Sequence, residues 1–140
     1  MKKLLLLLFL ISKSLFSQNL GYEMRTNGKS YLTTSYQGFE LRHRTNLQEN
    51  RFTYRYNIHK ENKLYLSIPL HYKIEKNAPT FEPRLIYKFN KFNLWVQQEF
   101  WYKEWSNMAI AVDITKEKIK YRVGWDNSNT VRFRITLLIK

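Results

Sequence analysis

RFTYRYNIHKENKLYLSIPLHYKIE, residues 51–75, holds two alternating runs joined by the polar turn Lys60-Glu61-Asn62. In the first, Phe52, Tyr54, Tyr56 and Ile58 point one way, and Arg51, Thr53, Arg55, Asn57 and His59 point the other. In the second, Leu64, Leu66, Ile68, Leu70, Tyr72 and Ile74 oppose Tyr65, Ser67, Pro69, His71, Lys73 and Glu75. A period of two means β-strand, because successive side chains leave a strand on opposite faces. One face is apolar and aromatic, and the other carries full charges rather than neutral polar groups. Pro69 removes a ladder donor, so a local distortion is expected in its strand.

The same alternation continues in both directions. Upstream, Phe39 and Leu41 oppose Glu40, Arg42 and Arg44 before a turn at Asn46 to Asn50. Downstream, Lys76-Asn77-Ala78-Pro79 turns the chain into Phe81, Leu85, Tyr87 and Phe89, opposed by Glu82, Arg84 and Lys88. After Asn90-Lys91, the residues Phe92, Leu94, Val96, Phe100 and Tyr102 oppose Asn93, Gln97, Glu99 and Lys103. A turn at Trp105-Ser106-Asn107 leads to Met108, Ile110, Val112 and Ile114, which face away from Ala109, Ala111 and Asp113. Beyond Lys116-Glu117, Ile119 to Trp125 oppose Lys118, Lys120, Arg122 and Gly124. After the turn cluster Asp126 to Asn129, Val131 to Ile139 oppose Arg132, Arg134 and Thr136. This gives eight regular strands from Gly38 to Lys140. Connections this short allow only neighbouring antiparallel pairs, so the expected fold is an all-β up-and-down meander, closed to remove its edges.

Residues 18–37 alternate less clearly. Leu20, Tyr22 and Met24 lead to Asn27-Gly28, a tight-turn dipeptide, and Tyr31 to Tyr36 return with a Thr-Thr-Ser centre. This segment is either an extra hairpin, raising the strand number to ten, or a loose lead-in. Ahead of it, Met1-Lys2-Lys3, the apolar run Leu4 to Ile11, and Ser12 to Ser17 fit an export signal, with cleavage expected after Ser17. The run is too short to cross a bilayer as a helix.

The chain has 24 Lys and Arg against 11 Asp and Glu, a formal charge of +13. In a cytosolic protein that excess would point first to nucleic acid. An export signal excludes that partner and leaves anionic envelope surfaces, such as phosphate-rich lipopolysaccharide, as the expected attraction. With no Cys there is no disulfide framework and no thiolate metal site. His43, His59 and His71 form no ligand pair, so no metal or cofactor is expected. Ser67 and His71 share a face but lie about 13 Å apart along a strand, too far for direct activation.

The choice of inward face follows from size. An eight-stranded bore is just wide enough for side chains to fill it, and Phe, Tyr, Trp, Leu and Ile at nearly every inward position would overfill it. Turned outward, Leu64 to Ile74 would make a band about 33 Å along the strand, or roughly 25 Å after a 40° tilt, the apolar height of a membrane barrel. Phe39, Tyr72, Phe89, Phe92, Tyr102, Trp105 and Trp125, near strand ends, would form aromatic girdles.

From Gly38 to Lys140 the chain resembles the small eight-stranded outer-membrane barrels of Gram-negative bacteria. The resemblance is architectural. It implies a cell outer-membrane location, insertion by the barrel assembly machinery, and both chain ends on the periplasmic side. The turns near Lys60, Asn90 and Lys116 would also be periplasmic, and those near Gln48, Asn77, Ser106 and Asn127 extracellular. The inward face would then hold a charge network of Glu40, Arg42, Arg55, Glu82, Arg84, Glu99, Asp113, Arg122, Arg132 and Arg134, paired because an isolated buried charge is costly. Glu82 and Glu99 are expected to be held by Arg84, Arg122 and Arg134. The expected role is structural or interactive and non-enzymatic, with a narrow anion-favouring pore as its functional form. A soluble exported barrel enclosing an apolar ligand, and a lipid-modifying enzyme, are the competing readings.

Overall fold

A computed structural model describes residues 19–45, 49–101 and 104–139. The expected export signal and the turn at Gln48 lie outside them. Eleven strands follow one another: β1 (Asn19–Arg25), β2 (Ser30–Tyr36), β3 (Phe39–Arg44), β4 (Glu49–Glu61), β5 (Leu64–Lys73), β6 (Ala78–Phe81), β7 (Arg84–Lys88), β8 (Asn93–Trp101), β9 (Glu104–Lys116), β10 (Ile119–Asp126) and β11 (Val131–Leu138). Each pairs antiparallel with its neighbours in the wall, and β1 closes the sheet against β11, from Asn19↔Leu138 to Arg25↔Arg132.

β6 and β7 occupy one place in that wall. Both pair with β5 on one side and β8 on the other, so the segments fill ten positions. Residues 19–37 therefore form the extra hairpin rather than a lead-in, which gives the barrel the ten strands expected if that hairpin joins. The weak pattern of β2 has a local cause. Leu32 and Tyr36 face outward, and Thr34 between them is covered where its neighbours Leu20 and Leu41 pair with it.

The break between β6 and β7 comes from two prolines. The register of β5 carries through unchanged, which sets Pro69 opposite Glu82 and Ile68 opposite Pro83. Glu82 N donates to Pro69 O at 2.9 Å, but Pro69 has no N–H to return. On the other side Gln98 N donates to Pro83 O at 3.1 Å, and Pro83 likewise cannot reciprocate. The distortion expected within β5 thus appears in its neighbour, while β5 runs on unbroken.

Two irregularities interrupt the alternation, and the first corrects the reading of His59. The register between β4 and β5 shifts between Asn57 and His59, so His59 pairs with outward Leu66 and Lys60 with Tyr65. This bulge moves His59 off the charged face to which strict alternation assigned it. A second shift, between Glu99 and Phe100, lies beside Gln98, which itself stays in register with outward Met108. Ser106 and Asn107 belong to β9 rather than to a turn, since Asn107 pairs with Glu99.

The outer wall is apolar: Tyr54, Tyr56, Leu70, Ile110, Val123, Trp125, Phe133 and Ile135 are among the large side chains exposed there. Of the expected girdle, Phe39, Tyr72, Phe89, Phe92 and Trp125 lie on this face, and the side chains of Tyr102 and Trp105 lie outside the described ones. Most of the buried groups are polar, including Glu23, Glu40, Arg42, His71, Glu82, Arg84 and Asp113. That inversion of a soluble core removes the arrangement in which the aromatic face is enclosed.

Candidate functional site: an arginine-lined bore

The bore is built by every second residue of the wall, so its chemistry follows from strand parity. Toward the end opposite the termini, Glu23 on β1 takes Arg25 Nε at 2.7 Å and Arg42 at 2.5 Å. Both guanidinium groups lie on the Tyr31 ring, 4.6 and 4.2 Å from its centroid. At that rim Arg132 binds Asp126 at 2.6 Å, and Asp126 also accepts from the backbone N of Ser128 and Thr130, tying the β10–β11 turn to the bore.

Midway, Trp95 on β8 projects inward and is 4% exposed. Its indole lies between Arg84 and Arg122, whose guanidinium carbons are 4.9 and 4.5 Å from the ring, and its Nε1 donates to Asp113 Oδ1 at 3.1 Å. Beside Trp95 in the same row stand Ala111 on β9 and Gly124 on β10. A Cβ at Gly124 would come within 2.9 Å of Ala111 Cβ, so the close approach of β10 to β9 in this row depends on glycine at 124. Arg122 and Lys120 both bind Asp113, at 2.5 and 3.1 Å. Arg134 spans from β11 to Glu40 on β3 at 2.8 Å and also donates to Thr33.

Glu82 accepts Arg84 at 2.7 Å and lies 3.4 Å from His71 Nε2, whose Nδ1 is 2.8 Å from Thr53 Oγ1. Carboxylate, imidazole and hydroxyl thus stand in the order of a nucleophilic relay, assembled across strands. Thr53 is only 3% exposed, however, and the chamber it faces, about 30 Å³, holds little more than two waters. The relay has no room for an acyl substrate.

The expected network residues therefore all face one bore, with a different pairing from the one expected. Glu82 does take Arg84, but Arg122 goes to Asp113 and Arg134 to Glu40, while Glu99 faces Lys73 at 3.6 Å. Glu23, Tyr31, His71 and Trp95 belong to the network and were not among the expected residues. Trp95 shares parity with Asn93 and Gln97, which was a usable signal. Among the described residues each bore-facing carboxylate has a cation, Glu49 included through Arg44 at 3.3 Å. Arg51 and Arg55 are different: both line the central chamber, and neither has a carboxylate within 4.0 Å. Arg51 Nε is buried without a hydrogen-bond partner, and Arg55 remains exposed within the bore.

The bore is divided lengthwise into three chambers. One of about 70 Å³ lies toward the end opposite the termini, the central one follows, and one of about 80 Å³ lies toward the termini. Arg51 lines the first two together with Arg42, Glu82 and Arg132, and Arg55 the last two together with Glu40, Arg122 and Arg134.

No family model matches the chain, and no curated protein matches it. Among solved structures it is similar to KdgM porin, with a TM-score of 0.55 at 14% sequence identity, over 84% of this chain and 95% of that one. The likeness is one of fold, a closed antiparallel β-barrel. The strand closure, outward apolar band and inward charge described above are the features a membrane barrel of that fold requires.

Proposed function

We propose that the protein is a small barrel of the outer membrane whose arginine-lined bore favours small anions. The observation that carries this is the pair Arg51 and Arg55, which line the bore with no carboxylate within 4.0 Å while each described bore-facing carboxylate has a cation. The porin description of the structural neighbour and the apolar outer wall support the location. An export signal over residues 1–17, insertion by the barrel assembly machinery, and outer-membrane lipid and lipopolysaccharide as surroundings belong to the same reading. Side chains fill the bore to chambers of water size, so its conductance should be low and its role largely structural, with no catalysis.

Planar-bilayer recording tests this directly. In a potassium chloride gradient the reversal potential should show chloride preference, and Arg51→Glu with Arg55→Glu should abolish or invert it. A cation-preferring wild type, or a preference indifferent to both substitutions, would refute the anion reading. Recovery from the soluble periplasmic fraction, without a heat-dependent gel shift, would refute the location.

A further inference from the structure

Among the described residues, the exposed lysines gather at one end. At the end that carries Asn19 and Leu138, the β4–β5 turn holds Lys60 and Lys63, the β7–β8 turn Lys88 and Lys91, and the β9–β10 turn Lys116 and Lys118, all exposed. Only Glu61 and Glu117 stand among them, and Glu61 is turned to His59 at 3.2 Å. None of the six lysines has a carboxylate within 4.0 Å among the described residues. The described turns of the opposite end offer Lys29 and Lys76, with Glu75 between Ile74 and Lys76. The remaining turn of the lysine end, Gln37-Gly38, is uncharged, so the lysines form a crescent over β4 to β10 rather than a full ring.

The crescent borders the apolar band. Directly beneath it Leu64, Tyr87, Phe89 and Phe92 are exposed on the outer wall, and the two phenylalanine rings stack at 4.5 Å. At one horn of the crescent an open cleft cuts into that wall, lined by His59, Glu61, Asn62, Lys63, Leu64 and Tyr87. The bulge after Asn57 is what brings His59 to this outer face. The cleft is thus apolar where it meets the band and basic where it leaves it.

We propose that the lysine crescent binds the phosphates of anionic phospholipids in the leaflet at the terminal end, with the cleft beside Tyr87 seating one of them. This rests on membrane insertion but not on the anion preference of the bore. Residue choice separates the two sites. The bore uses mainly arginine, whose planar fork holds a fixed carboxylate; the crescent is entirely lysine, a hydrated point charge on a flexible stem suited to mobile phosphates. Lys116 shares the outward parity of Ile114 and can lay its stem along the apolar wall, whereas Lys60 and Lys88 rest over the Tyr65 ring at 5.7 and 4.1 Å and present their ammonium groups from the rim. Phosphate chemistry is thereby matched by a curved row of charges, and the acyl chains by Leu64 and Tyr87.

The full chain, reconstituted into phosphatidylcholine with and without phosphatidylglycerol, would be analysed for retained lipid by native mass spectrometry, with the heat-dependent gel shift as the check on insertion. Wild type should retain phosphatidylglycerol several-fold over phosphatidylcholine. Replacing the six crescent lysines with Gln should remove the preference, Lys60→Gln with Lys63→Gln should weaken it, and Lys29→Gln with Lys76→Gln should leave it intact. Equal retention of both lipids by inserted wild type, or a preference that survives the sixfold variant, would overturn the proposal while leaving insertion standing. Failure of wild type to insert in either mixture would overturn both, and capture of an acidic soluble protein without lipid preference would replace the lipid as partner.

Discussion

Trp95 concentrates the logic of the bore in one side chain. Its ring takes two cations and its Nε1–H donates to an anion, so it joins Arg84, Arg122 and Asp113 into one unit. Trp95→Phe keeps a stacking face and loses the donor, which should lower the urea midpoint by about 1 kcal/mol of stability. Trp95→Ala removes the face as well and should cost roughly 3 to 5 kcal/mol. A second comparison separates the carboxylates. Glu82 is 3% exposed between Arg84 and His71, whereas Glu99 meets Lys73 in a wetter part of the bore. Glu82→Gln should therefore destabilise by about 3 kcal/mol, the low end for breaking a buried pair. Glu99→Gln should cost distinctly less in the same titration, and equal losses would mean that burial does not set the difference. That these charges face inward was legible from alternation alone. Their pairing was not, because Arg134 and Glu40 lie 94 residues apart and meet only when the wall closes.

At the scale of the strand, continuity depends on donors. The wall is weakest where Pro69 and Pro83 withhold two ladder bonds in succession, and among the described residues β6 meets β8 through Thr80↔Trp101 and Phe81↔Phe100. Amide exchange in detergent micelles should accordingly be fastest in the wall around Phe81 and Gln98 and slowest across β9, β10 and β11. Uniform protection around the barrel would contradict this. Eight strands could be read because their outward positions are aromatic or aliphatic almost without exception. β1 and β2 escaped a firm reading because Thr34 needs neighbouring strands to cover it, a tertiary effect that period counting cannot register. The bulge at His59 was hidden for a related reason: an inserted residue shifts parity without changing composition.

At the scale of the whole molecule, the proposed membrane location would make the bilayer the solvent of the outward face. Tyr54 is 39% exposed on that face, so a Tyr54→Trp variant should be strongly quenched by brominated acyl chains, while a single-tryptophan variant retaining only Trp95 should be spared. The reverse order would mean that the wall is turned inside out. Closure has a further consequence for the order of the chain itself. Because Asn19 stands beside Leu138 in an unbroken ladder, the sheet has no first strand and no last one. A short linker joining those neighbours, with the chain reopened at Gln37-Gly38 on the same end, should yield a circular permutant with the same wall and the same bore. Where synthesis starts would then govern which hairpins can form early, and leave untouched the architecture they reach.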